Sequence, residues 1–161
     1  MKKLAFVILA AITVAPLLSW GVKVKKKKSA VNNSPIVSVT MRRTTCFGRC
    51  PDYSIELNKD GTATYKGMRF VKDSGTFRKN IGTTKTMNII NQLIAYRADT
   101  CSNVYDNRIP DLPGIIYTIN YKDSTKRIMN ANFCPHYLTE LAIDMDNIGK
   151  KTDKTWKMVK K

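Results

Sequence analysis

The segment Cys46-Phe47-Gly48-Arg49-Cys50-Pro51-Asp52-Tyr53 constrains the fold more than any other part of this 161-residue chain. Its two cysteines lie four residues apart, a glycine lies between them, and a proline follows the second. On both sides of the segment, apolar residues recur at every second position, as they do in half-buried strands. The segment is therefore predicted to be a constrained loop between two strands. It indicates a compartment and a covalent framework, and it identifies no biochemical activity.

Further period-two alternation predicts the rest of a sheet. β-branched and aromatic residues alternate with polar ones in five segments, 37–41, 53–57, 62–66, 115–121 and 126–130. Asn58-Lys59-Asp60-Gly61 is a turn in which the glycine is available for a positive φ, so the second and third segments form a hairpin. Residues 69–71 and 75–77 are predicted to supply one further strand.

Two amphipathic helices follow from the 3.6-residue periodicity of apolar positions. The first is predicted to begin at Thr83 or Thr84, either of which can cap it, with Met87, Ile90 and Ile94 on one stripe and Leu93 beside it. The second is predicted to begin at Pro135 and to end at Gly149. Its apolar positions are Leu138, Leu141, Ala142, Met145 and Ile148, and its polar face carries Glu140, Asp144 and Asn147.

The predicted order of elements is β-β-β-β-α-β-β-α. Strands joined by tight turns pair in antiparallel fashion, and two amphipathic helices need an apolar face against which to bury. We therefore predict an α+β fold in which an antiparallel sheet of five to six strands carries both helices on one face. Residues 36–149 are long enough for a single domain with one core, and 29–35 has the small, polar composition of a linker.

The two ends of the chain differ from its middle in composition. Residues 1–28 combine Lys2 and Lys3, an apolar run and a lysine cluster, which predicts a signal peptide or an N-terminal membrane anchor. Residues 150–161 are predicted to form a basic C-terminal tail. These segments carry most of the net charge of +16, so a nucleic-acid module is not expected, because such modules concentrate charge on a folded face. An anionic lipid surface is a candidate partner for the lysines, and a solvated tail is an equally good interpretation.

Four cysteines in a chain with an export signal indicate disulfides, and hence the periplasm or a membrane-anchored position in the cell envelope. Three pairings are open. The favoured one joins Cys46 to Cys50, where Gly48 would relieve the backbone of a small ring, and joins Cys101 to Cys134. Crossed pairings such as Cys46 with Cys101 come next. A ring this small adds little stability through loop entropy, but it fixes the shape of the loop.

Enzymatic interpretations of the same residues are weaker. Thiol–disulfide exchange usually employs two residues between the cysteines at a helix N-terminus, whereas three separate Cys46 from Cys50 and a strand follows. Zinc would need closer cysteine spacing, and the single histidine, His136, cannot build a multi-histidine site. Asp106 and Asp111 are the candidates for a paired-carboxylate hydrolase, because they are close acids in a loop. Neither a cofactor nor a metal ion is expected.

These motifs resemble those of a family of small exported bacterial domains of unknown function. Its signature, Cys-x-Gly-x-Cys-Pro-x-Tyr, corresponds here to 46–53. Weaker matches are Asp60-Gly61, Tyr65-Lys66-Gly67, Asp111-Leu112-Pro113 and the closing helix with Trp156 after it. The resemblance covers roughly 36–156 and implies an envelope location and this order of elements, but no activity. Cys101, Cys134 and the basic tail depart from the family pattern.

The resulting hypothesis is a non-enzymatic cell-envelope module, stabilised by disulfides, that binds another macromolecule or stabilises a complex. Its predicted contact surface consists of the 46–53 loop and the adjoining 106–113 segment, and comprises Arg42, Arg43, Phe47, Arg49, Asp52, Tyr53, Asp106 and Asp111. Arg42 and Arg43 could pair with Asp52 or Asp111, although solvated side chains at a strand end are the simpler interpretation. The alternative function is an envelope thiol–disulfide or hydrolytic enzyme that uses the Cys46/Cys50 loop.

Overall fold

The computed structural model describes residues 35–105, 111–130, 134–150 and 155–159 of the chain. The predicted signal peptide or anchor at 1–28, the linker apart from Pro35, and Asp106 lie outside the described residues.

Strands dominate the described part of the chain. They are β1 (Ile36–Arg43), β2 (Asp52–Asn58), β3 (Thr62–Arg69), β4 (Gly75–Asn80), β5 (Val104–Tyr105), β6 (Ile115–Tyr121), β7 (Thr125–Asn130) and β8 (Lys157–Met158). Two α-helices accompany them, α1 (Thr83–Ala95) and α2 (His136–Gly149), together with a short 3-10 helix (Ala98–Thr100). The α+β class is therefore confirmed.

All eight strands form one sheet in the order β5-β7-β6-β1-β2-β3-β4-β8. Every neighbouring pair is antiparallel except β5 and β7, which run parallel. The prediction of a wholly antiparallel sheet of five to six strands was thus wrong, because it lacked β5 and β8. These edge strands have two residues each, too few to show any alternation. The buried Trp156 also joins the core, so part of the segment predicted as a basic tail belongs to the fold.

The hydrophobic core lies on one face of the sheet. Alternate strand residues are fully buried there, as in Val39 and Met41 of β1 and Ile55 and Leu57 of β2. The other face carries mainly Ser, Thr, Asn and charged side chains, and no described helix covers it. Each fully buried aliphatic side chain stabilises the fold by roughly 1.5–3 kcal/mol, so this single apolar face is the main source of stability.

The helices pack on the apolar face through their buried stripes. In α1 this stripe includes Met87, Ile90 and Leu93 as predicted, but Ile89 is buried where Ile94 was expected. The predicted threonine cap of α1 was wrong. Gly82 occupies the cap position, and no described side chain caps the helix. With 13 and 14 residues, the described helices are too short to cross a bilayer.

Two glycines have steric roles in this packing. Gly61 has a φ of 93° and donates its N–H to the carbonyl of Asn58 at 3.0 Å, which confirms the predicted turn. Gly149 ends α2 directly over the sheet. A Cβ at this position would lie 2.4 Å from Cδ1 of Ile55, so any larger residue would force the Ile55 side chain to shift.

Candidate partner-binding loop and its supports

The cysteine loop (residues 44–51) connects β1 to β2 at one end of the sheet. Arg43 of β1 and Tyr53 of β2 form the last register pair before it. Cys46 and Cys50 are joined by a disulfide with a Cα–Cα distance of 5.5 Å, within the usual range for such bonds. The predicted Cys46–Cys50 bridge is therefore confirmed. It closes the loop covalently between strands that are themselves hydrogen-bonded.

Gly48 does not have the role predicted for it. Its φ is not positive, and a Cβ at this position would meet only Sγ of Cys46, at 3.9 Å. The backbone N–H of Gly48 donates to the same sulfur at 3.3 Å. The small ring therefore forms without the special backbone freedom of glycine.

Phe47 projects from the cysteine loop into solvent. Its side chain is 90% exposed, the highest value among the large exposed hydrophobic residues described. Arg49 lies beside it on the same loop and is also exposed. An aromatic side chain and an arginine on one exposed loop are the residue types that protein interfaces favour.

The segment 111–114 holds the cysteine loop from the side. Thr44 donates its N–H to the carbonyl of Gly114 at 2.9 Å, and Gly114 donates its N–H to Oγ1 of Thr44 at the same distance. Phe47 donates its N–H to the carbonyl of Asp111 at 3.4 Å. These bonds place the 111–113 part of the predicted 106–113 segment next to the loop, as expected.

Below the loop, Asp146 of α2 connects the helix to both strands. Its carboxylate accepts hydrogen bonds from Nε and Nη2 of Arg43 at 2.9 and 2.5 Å, and from the hydroxyl of Tyr53 at 2.6 Å. The hydrogen bond with Asp146 raises the pKa of Arg43. Burial, and then the same carboxylate, raises the pKa of Tyr53. Tyr53 therefore stays a neutral hydrogen-bond donor at any physiological pH.

Arg42 forms a second ion pair on the opposite face of β1. Its Nε and Nη2 donate to the two carboxylate oxygens of Asp52 at 3.1 and 3.2 Å. Asp52 is only 4% exposed. The favoured interpretation of Arg42 and Arg43 as solvated strand ends was wrong. The alternative pairing of Arg42 with Asp52 is confirmed, whereas Arg43 pairs with Asp146 and neither arginine pairs with Asp111.

The predicted contact residues thus separate into two groups. Phe47, Arg49 and Asp111 are exposed around the cysteine loop. The other four support the loop. Arg43 and Tyr53 are half-buried, and Arg42 forms an ion pair with the buried Asp52. Asp106 lies outside the described residues.

The remaining two cysteines are free thiols, so the predicted Cys101–Cys134 bridge is absent from the structure. Sγ of Cys101 shares a hydrogen bond of 2.7 Å with the hydroxyl of Tyr137, whose ring stacks on Tyr96 with centroids 4.6 Å apart. Sγ of Cys134 lies 3.4 Å from Oγ1 of Thr139. Burial, and then the bond to Cys101, raises the pKa of Tyr137.

His136 lies in the first turn of α2 on the surface, as predicted. Nε2 of His136 lies 3.3 Å from Oε1 of Glu140, one turn further along the helix. Across the described ranges, no group of three or more His, Cys, Asp or Glu side chains is placed to hold a metal ion.

The sequence model of one protein family matches residues 37–149, more than two thirds of the chain. Its description is "Domain of unknown function (DUF6438)". The chain belongs to this family. The resemblance to a family of domains of unknown function is therefore confirmed, and membership in DUF6438 specifies no function. No curated protein matches the chain.

Sequence reasoning missed the central residue of this candidate site, Asp146. Asp146 and Arg43 are 103 residues apart in the sequence, and local sequence patterns do not predict contacts between residues so far apart. One signal was available. Asp146 lies four residues after Ala142 on α2, so it borders the buried stripe rather than the solvated face. An acid at such a border needs a partner from the sheet.

Proposed function

We propose that this chain is a non-enzymatic binding module of the cell envelope, in which the cysteine loop inserts Phe47 into an apolar pocket of a partner protein. The observation that carries the proposal is the 90% exposure of Phe47 on a disulfide-closed loop. A single exposed apolar side chain is ordinary on a protein surface. The argument therefore rests on how the loop is held.

The loop that bears Phe47 is restrained in three ways. The disulfide closes it. Backbone hydrogen bonds from Thr44 and Phe47 attach it to the 111–114 segment, and Asp146 joins both flanking strands to α2. A restrained loop loses little conformational entropy when a partner binds, so more of the contact energy appears as affinity. Buried aromatic residues next to arginine are frequent hot spots in such interfaces.

The chemistry around the disulfide favours binding over thiol–disulfide exchange. Exchange enzymes lower the pKa of the attacking thiol at a helix N-terminus. Here Cys50 is followed by Pro51 and then by β2, so no helix begins at the described loop. The envelope location is supported by the predicted export segment at 1–28 and by the presence of a disulfide.

Site-specific photo-crosslinking in living cells tests this function. A photoreactive phenylalanine analogue replaces Phe47 in the full chain, and Phe70 in a matched control. Phe70 is also exposed, but it lies between β3 and β4 with the guanidinium of Arg69 5.3 Å from its ring centre. We expect a discrete protein adduct from position 47 and none from position 70.

Three results would contradict the proposed function. One is equal crosslinking from both positions. Another is crosslinking only to lipid, which would make the loop a membrane contact. The third is catalysis of insulin reduction by the purified protein that depends on Cys46, which would support the exchange enzyme instead.

A further inference from the structure

Two clefts adjoin at the C-terminal end of α2. The first has a volume of about 380 Å³ and lies between this end of the helix and the residues that follow β3, with Tyr53 and Lys72 in its lining. The second has a volume of about 660 Å³ and lies between α1 and α2, with Lys85 in its lining. Asn147 and Lys150 line both clefts. Both volumes fall within the usual range for small-molecule sites.

We propose that the two clefts form one binding site for an acidic oligosaccharide, with Lys150 at the junction. Nζ of Lys150 donates to Oδ1 of Asn147 at 2.8 Å, which holds the ammonium group at the boundary between the clefts. An ammonium group has three donors, so two of them are left to contact a ligand that crosses this boundary.

The charges of the lining favour an anionic ligand. Four lysines line the two clefts, Lys72, Lys79, Lys85 and Lys150, against three aspartates, Asp73, Asp144 and Asp146. Lys79 and Asp73 already interact with other groups of the protein, so the charges counted for a ligand are those of the other three lysines and two aspartates. The carboxylate of Asp146 is already neutralised by Arg43. The lining therefore has a positive excess that would attract spaced carboxylates.

The uncharged polar groups favour a hydroxylated ligand over a bare polyanion. Asn88, Gln92 and Asn147 present amides, which both donate and accept hydrogen bonds, and Tyr53 contributes an aromatic ring, its hydroxyl proton being donated to Asp146. Asp144 would repel a dense polyanion, but its carboxylate would accept hydrogen bonds from sugar hydroxyls. A ligand with both hydroxyls and spaced carboxylates therefore complements this lining better than a bare polyanion does.

Isothermal titration calorimetry with defined sugars tests this site on the full chain. The probes are trigalacturonate, which has three carboxylates, its neutral counterpart maltotriose, and a short polyphosphate. We expect saturable binding of trigalacturonate that is at least tenfold tighter than that of either other probe. Lys150→Ala should weaken trigalacturonate binding at least fivefold, because it removes the donor shared by both clefts.

Lys122→Ala is the matched control, since Lys122 is an exposed lysine in the β6–β7 turn and lines neither cleft. It should leave the affinity within twofold of the wild type, as should Phe47→Ala, which separates this site from the proposed partner-binding loop. The proposal fails if trigalacturonate does not bind, if maltotriose or polyphosphate binds equally well, or if Lys122→Ala weakens binding as much as Lys150→Ala.

Discussion

The two cysteine-bearing regions of the domain are held in different ways, although α2 connects them. At the last turn of α2, the cysteine loop carries an exposed Phe47 and is closed by the Cys46–Cys50 bridge. At the first turn, Cys101 is a free thiol packed against Tyr137. The bridge therefore lies in the exposed cysteine loop, whereas the free thiol of Cys101 lies where the side chains of Tyr96 and Tyr137 already pack.

This difference indicates what the bridge contributes. A covalent link that closes a five-residue ring removes less entropy from the unfolded chain than one that closes a long loop, but it also restricts the loop in the folded protein. The free thiols occupy a region whose order comes from stacking and hydrogen bonding. The bridged region is therefore the one in which an exposed side chain stands on a covalently restricted loop.

The largest expected effect comes from removing the support below the loop. Asp146→Ala should lower the free energy of unfolding by about 3 kcal/mol, because it leaves the Arg43 guanidinium and the Tyr53 hydroxyl half-buried without their acceptor. Urea unfolding measures this change. The exposed Asp144 on the same helix provides the control, and Asp144→Ala should change stability by less than about 0.5 kcal/mol. Equal effects would show that Asp146 has no supporting role.

Removing the cysteines compares the two regions directly. Replacing Cys46 and Cys50 with serine should cost about 2 kcal/mol, as expected for a short ring. Replacing Cys101 and Cys134 with serine should cost less than about 1 kcal/mol, because only hydrogen bonds of thiols change. Intact mass without reductant should show the loss of two hydrogen atoms, corresponding to one bridge. A mass that corresponds to two bridges would contradict the comparison. So would a larger loss of stability on replacing Cys101 and Cys134 than on replacing Cys46 and Cys50.

High pH should weaken the loop support through Tyr53. The pKa of Tyr53 is raised in the folded protein, so its neutral hydroxyl contributes fully to the free energy of unfolding below the unfolded pKa of about 10. This contribution is lost progressively as pH rises above that value, because the unfolded state then releases the proton more readily. Between pH 8 and pH 11, wild-type stability should fall by roughly 1 kcal/mol more than that of Tyr53→Phe, since solvent screens part of the effect at a half-buried hydroxyl. Urea unfolding at both pH values measures the difference. Identical losses in the two proteins would mean that the Tyr53 hydroxyl is not protected by folding.

The smallest effect is expected in the thiol region. Tyr137→Phe removes the hydroxyl that contacts Cys101 but keeps the ring that stacks on Tyr96, so it should cost about 1 kcal/mol. Thermal unfolding of this variant beside Tyr96→Ala, which removes the stack, measures the two contributions. A loss as large as that of Asp146→Ala would show that this region depends on polar bonding as much as the loop does.

Local sequence patterns predicted most of the sheet and α2. Alternation revealed β1, β2, β3, β6 and β7, because each has one face in the core and one in solvent. The same patterns could not reveal β5 and β8, which form only because longer strands offer an edge. The α1 stripe was misjudged at Ile89 and Ile94, since both are apolar and only the packing decides which is buried.

The candidate site was predictable only in part. The cysteine spacing predicted the bridge and the loop, and the 106–113 segment, of which 111–113 is described, was expected beside it. The pairing of Arg43 with Asp146 depends on where α2 crosses the sheet, which is set by the whole tertiary fold, including the close approach of Gly149 to Ile55. An even number of cysteines likewise does not determine how many of them pair.

The affinity of the crosslinked partner for Phe47→Ala tests the central claim most directly. Purified full-length protein and partner are titrated, with Phe70→Ala as the control for losing an exposed phenylalanine. We predict that Phe47→Ala binds at least tenfold more weakly than the wild type, which corresponds to about 1.4 kcal/mol, and that Phe70→Ala binds within twofold. Equal affinities for the wild type and Phe47→Ala would contradict the account.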